Sequence, residues 1–71
     1  MTDTNLLNIA IERSGFKKGY IQKRLGLSAT AFWNKVNNIS EFKASEIELL
    51  TQILNLSARE RNDIFFASKV D

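Results

Sequence analysis

The side chains of this chain that could do chemistry are hydroxyls, amides, lysines and one indole. Its 71 residues include no His and no Cys, which removes the most versatile general base, the commonest metal ligands and the thiol nucleophile. Its eight acids are scattered along helical stretches, and no glycine-rich phosphate loop is present, so neither paired-carboxylate nor phosphoryl-transfer chemistry has a constellation to work with. The expectation is a non-enzyme without cofactor or metal. Recognition chemistry remains. Ser28, Ala29, Thr30, Trp33, Asn34 and Asn37 fall within ten positions, with Ser40 at the margin. Hydroxyls, amides and an indole at such spacing suit hydrogen bonding and apolar contact with a macromolecule.

Their positioning is written in the apolar residues between them. Ile21 and Leu25 are four apart, one face of a helix, and Gly26 supplies the positive φ of a sharp helix exit. Leu27 is placed to plug the corner. Ser28 can cap the free N–H groups of the next helix, whose inward stripe is Phe32 and Val36. This pattern predicts a helix-turn-helix, with helices over Lys18 to Leu25 and Ala29 to Asn37. The second of these presents Ala29, Thr30, Trp33, Asn34 and Asn37 outward, where a major groove would be read. Bare bundle packing would produce similar apolar spacing, and Trp33 has two readings: an exposed anchor, or a ring folded back over Lys17 to Tyr20.

Charge follows the same division. Through residue 38 there are six bases against two acids; beyond it, four against six. Lys17, Lys18, Lys23 and Lys35 flank the outward face and are the phosphate-contact candidates. The surplus is small, so a single copy should bind DNA weakly. The face also lacks arginine, the residue that most often reads guanine.

With no Pro, three Gly and 44% apolar residues, the periodicity is helical throughout and predicts one all-α domain over residues 1–71, a compact five-helix bundle. Leu6, Leu7, Ala10 and Ile11 stripe the first helix, Gly15 caps it, and Phe16 should turn inward. Asn37-Asn38 ends the third helix. Ile39 and Phe42 should anchor the connection to the core. Ser45 with Glu48, and Ser57 with Glu60, have capping-box spacing and should open the last two helices. Ile47, Leu50, Ile53 and Leu54 stripe the fourth helix, Leu56 packs the corner, and Ile64 and Phe65 stripe the fifth. Phe66 is left between core and surface. No apolar run reaches the length of a signal core or membrane span, so a cytoplasmic protein without membrane contact is expected.

From Leu7 to Phe66 the sequence resembles the Cro/repressor (XRE-type) helix-turn-helix family of small phage and bacterial regulators. The matching residues are Ile21, Leu25-Gly26-Leu27-Ser28, Phe32, Val36, Phe42 and the helix from Leu49-Leu50 to Ile53-Leu54. Three positions depart from the family pattern: Lys18 stands where a Gln opens the second helix, Gln22 where a small Ala is usual, and Trp33 where a small polar residue faces DNA. Within that family the chain is particularly similar to the modulator-of-repression proteins, or antirepressors, of lactococcal temperate phages. The resemblance implies a regulator of a lysis/lysogeny switch in a bacterial host cell. Its partner would be the N-terminal, DNA-binding domain of the phage repressor, gripped through the third helix, with weak contact to double-stranded DNA. The alternative is an autonomous Cro-like operator-binding repressor working as a dimer, and a weak homodimer is compatible with either.

Overall fold

Four of the five helix starts are closed by side chains that satisfy backbone groups the helices leave open. In the computed structural model, which describes residues 1–67, α1 is Thr4–Ser14, α2 Lys18–Leu25, α3 Ala29–Val36, α4 Ala44–Ile53 and α5 Ala58–Phe65. No strand occurs among the described residues, and the chain is all-α; the last four residues of the expected domain lie outside them. Asp3 caps α1 by accepting the Leu6 N–H at 3.0 Å, and Ser28 caps α3 by accepting the Ala31 N–H at 3.1 Å. Ser57 and Glu60 form the expected reciprocal box at α5, at 3.1 and 3.0 Å.

Three corners share one backbone solution. The Gly26 N–H donates to the Lys23 carbonyl and the Leu27 N–H to the Gln22 carbonyl, the paired bonds of a Schellman turn. The same pair recurs at Asn38 with Ile39, and at Asn55 with Leu56. Gly26 has φ 70°, Asn38 64° and Asn55 52°, the left-handed region that Gly and Asn tolerate best.

The core is a single cluster. Leu7 of α1, Ile21 of α2 and Leu50 of α4 are fully buried at its centre. Phe42, from the connection before α4, lies edge-on to both Phe32 of α3 and Phe65 of α5, with ring centroids 6.5 and 5.6 Å apart, an arrangement aromatic rings favour. α2 packs on both α3 and α4, and α5 on both α1 and α4. The segment before α1 is clasped to the end of α3. The Thr2 N–H donates to Asn38 Oδ1 at 2.9 Å, Asn38 Nδ2 donates to the Thr2 carbonyl at 2.7 Å, and the Thr4 hydroxyl donates to the Val36 carbonyl at 2.7 Å.

Several expectations are corrected. α3 ends at Val36, with Asn37 as its cap. Phe16 does not turn inward; it is half exposed and stacks on Tyr20, centroids 4.9 Å apart. Ile39 is exposed, because the turn at Asn38 throws it outward, and only Phe42 anchors the connection. Leu6 too is partly exposed, leaving Leu7, Ala10 and Ile11 as the buried stripe of α1. α4 begins two residues earlier than the Ser45–Glu48 spacing implies: its cap is Lys43, and Glu46 accepts the Lys43 N–H at 2.8 Å. A lysine side chain has no acceptor, so only this half of a capping box forms. Glu46 wins because the same Oε1 also accepts from Lys35 Nζ at 2.6 Å, in an ion pair whose side chains are only 12% and 10% exposed. Of the two adjacent rings, Phe65 is buried and Phe66 is exposed.

Two outcomes are expected. Phe32→Ala should destabilise the protein by about 3–5 kcal/mol in denaturant titrations, since it empties one end of the aromatic chain in a small core; Leu25→Ala, at a half-buried position, should cost less. Burial works against the Glu46 charge, but the hydrogen bonds from Lys35 and from the Lys43 N–H, with the charges of both lysines, outweigh it and hold its pKa below 4.5. A depressed carboxyl contributes stability that is fully present above its unfolded value and is lost as pH falls through the folded one. Thermal melts of wild type and Glu46→Gln should therefore differ most near neutrality and converge as the solution is acidified below about pH 4.5. A gap independent of pH would contradict the charge's role.

Candidate recognition surface

α3 is eight residues long, and two of them, Phe32 and Val36, are buried. The 100° step of the helix then turns Thr30, Trp33 and Asn37 away from that buried pair, whereas Ala29 lies beside it and is open only because it sits in the first turn. All four are exposed, as is Ser28, and Asn34 is half-buried. The structure thus brings the six expected recognition residues onto one strip, though with unequal freedom. The Ser28 hydroxyl is occupied as the helix cap. Asn37 Nδ2 is turned back onto the Trp33 carbonyl at 2.9 Å, which leaves its amide oxygen as its remaining side-chain acceptor. Thr30 makes no side-chain hydrogen bond among the described residues.

Trp33 stands at the centre with 59% of its surface exposed, so of its two readings the exposed ring is the one found, not a packing residue folded back over Lys17 to Tyr20. It forms one side of an open groove of about 310 Å³, with Lys18 and Gln22 from α2, Ala29 and Asn37 from α3, and Asn8 from α1. The groove exists because α2 and α3 diverge from the Gly26–Ser28 corner while Phe32 and Val36 form the floor between them. Gln22, which is larger than the residue expected at such a crossing, lines the groove and is half-buried. Asn8 Oδ1 is buried at this site and accepts no hydrogen bond from the described residues. Sequence reasoning missed Asn8; its signal was a lone amide beside the apolar stripe of α1.

The four lysines do not act as a set. Lys18 shares the groove with Trp33. Lys17 and Lys23 are exposed and in no ion pair among the described residues. Lys23 lies about 140° around α2 from Lys18, so it cannot line the same groove wall. Lys35, expected as a phosphate contact, has its ammonium held by Glu46 in the ion pair described above. The outward strip is therefore nearly uncharged, with one cation at its edge.

A second cluster lies on the other side of α2. Phe16 and Tyr20 stack, the Arg24 guanidinium lies 5.8 Å from the Tyr20 ring centroid, and Arg24 Nη1 donates to the Tyr20 hydroxyl at 2.9 Å. The four-residue spacing of these side chains was legible as one helical face, but not as a stack.

Comparison with known proteins matches the chain to no family model, no curated protein and no solved structure. The fold and surface define a class, an all-α five-helix protein with an exposed tryptophan on its third helix. No described helix is long and apolar enough to cross a membrane.

Because its ring contributes little to the core, Trp33→Ala should leave the unfolding free energy within about 0.5 kcal/mol of wild type. Thermal melts check this, and a large loss would mean that the indole supports the bundle.

Proposed function

We propose that this chain is a small transcriptional regulator of a temperate-phage lysis/lysogeny switch that works through α3 on the DNA-binding domain of a repressor, as an antirepressor or modulator of repression. The observation that carries this reading is Trp33, mostly exposed at the centre of the strip and bordering a groove floored by apolar side chains. A large rigid ring surrounded by small residues is the composition of an interface anchor. Against DNA it gains little beyond contacts with thymine methyls. The withdrawal of Lys35 into a buried pair lowers the positive charge available to phosphates and supports the same choice. On this reading, Ala29, Thr30, Asn34 and Asn37 surround the anchor, and Lys18 meets an acidic group at the rim.

The alternative is an operator-binding, Cro-like repressor. It is favoured by one observation: Lys17 and Lys18 stand exposed at the start of α2, beside an outward helix that carries Thr30 and Asn34. In this reading, α2 and α3 form a helix-turn-helix of the DNA-binding kind, with Asn34 reading adenine and the lysines meeting phosphates.

Calorimetry against the N-terminal domain of the repressor encoded beside this chain should show binding that Trp33→Ala weakens by about 2–4 kcal/mol. If the protein instead binds operator DNA alone, Lys18→Ala should weaken all sequences equally and lower the log–log salt slope by about one. Repressor binding that is indifferent to Trp33 would refute the antirepressor reading.

A further inference from the structure

The charge of this chain is segregated more sharply than its net value suggests. No acid occurs between Glu12 and Glu41, a stretch that holds six bases. Two of the six are engaged, Arg13 with Glu60 at 2.8 Å and Lys35 with Glu46 at 2.6 Å. The other four are Lys18, Lys23 and Arg24 of α2 and its cap Lys17, all exposed and in no ion pair among the described residues. Lys18 belongs to the Trp33 groove. The remaining three surround the Phe16–Tyr20 stack: Tyr20 lies about 160° around α2 from Lys18, Lys23 and Arg24 lie within about 60° of Tyr20, and Lys17 follows Phe16 in the chain. Both rings are 43% exposed. The bond from Arg24 Nη1 to the Tyr20 hydroxyl holds the phenol and leaves the other guanidinium N–H groups unbonded among the described residues. Phe16 also borders an open hollow of about 570 Å³ with Ser14, Ile53 and Asn55, where the one acid, Glu60, is already held by Arg13.

We propose that the Phe16–Tyr20 side of α2 binds single-stranded nucleic acid, with unpaired bases stacking on the two rings and phosphates meeting Lys17, Lys23 and Arg24. Every unpaired base presents a π-face to an aromatic platform, and neighbouring cations track its backbone. A duplex would satisfy the same cations, but it keeps its bases stacked inside and leaves the rings without a partner. An acidic peptide offers carboxylates to the cations and no run of planar groups to the rings. The hollow beside Phe16 gives a base room to lie against that ring. This surface lies across α2 from the Trp33 groove, so it stands apart from the function proposed above.

Anisotropy titrations of labelled oligo(dT) and oligo(U) with the full chain test this, with unlabelled single strands, duplex DNA of equal length and polyglutamate as competitors. The labelled strands should bind at low salt and be displaced more readily by single strands than by duplex or polyglutamate, and the tighter of the two tells DNA from RNA as the source. Phe16→Ala should weaken binding by about 5- to 150-fold, whereas Tyr20→Phe, which keeps the ring, should bind close to wild type. Lys23→Ala should lower the log–log salt slope by about 0.7. Trp33→Ala should change nothing, which separates this surface from the α3 strip. If Phe16→Ala unfolds early in a melt, Phe16→Leu, which keeps apolar bulk without a ring, takes its place. Absence of binding at low salt, equal displacement by duplex or polyglutamate, an unchanged salt slope in Lys23→Ala, loss of binding in Trp33→Ala, or a folded Phe16 variant that binds like wild type would overturn the proposal.

Discussion

Three of the five helices are only eight residues long, and a helix of that length does not persist in water by itself. Everything about α3 therefore depends on what grips it from outside. Phe32 and Val36 grip it from the core, with Phe42 carrying that contact on to Phe65 of α5. Ser28 holds its start and Asn38 its end, and Asn38 is itself clasped by Thr2. Apart from its capping ends, Ser28 and Asn37, the outward strip needs no stabilising residues of its own. It is free to carry an exposed indole and small polar groups that would be poor material for a core.

The same economy governs charge. Lys35 emerges from the flank of α3 and its ammonium is captured by Glu46, which also fixes where α4 begins. One carboxylate oxygen thus locates two helices relative to each other while removing a cation from the neighbourhood of the strip. A buried pair is seldom a large net source of stability, because desolvation offsets much of the attraction, but removing one partner is costly. Its main effect here is positional, and it explains why a sequence with ten basic residues presents a nearly neutral α3.

Much of the architecture was legible because local rules and tertiary packing agree. Gly26 and Ser28 announced their corner, and Ser57 with Glu60 announced α5 through a box that forms as written. The failures came where a distant partner overrode a local signal. Ser45 and Glu48 have the spacing of a cap, yet α4 starts at Ala44, because Lys35, eleven residues upstream of Glu46, selects that acid instead. Ile39 and Phe16 are apolar residues beside helix ends, a position that fits equally an anchor or an ejected side chain. Turn geometry ejects the first, and the ring of Tyr20 captures the second on the surface. Of the strip, sequence spacing placed all six residues on one side of the helix. It did not foresee Asn8, which arrives from α1, or the removal of Lys35, since both depend on contacts between separate helices.

The single tryptophan lies outside the core and the single tyrosine is also at the surface, while the buried rings are all phenylalanine. The chain has in effect divided its chromophores by task. Its weakly emitting rings maintain the fold, and its one strong fluorophore sits on the outward face of α3. Unfolding should be optically quiet in tryptophan emission, because an indole already in water has little further solvent to meet. Docking at α3 should be conspicuous, because the same indole would leave water. The native protein is thus its own unlabelled reporter of occupancy, with a signal largely uncoupled from its folding state.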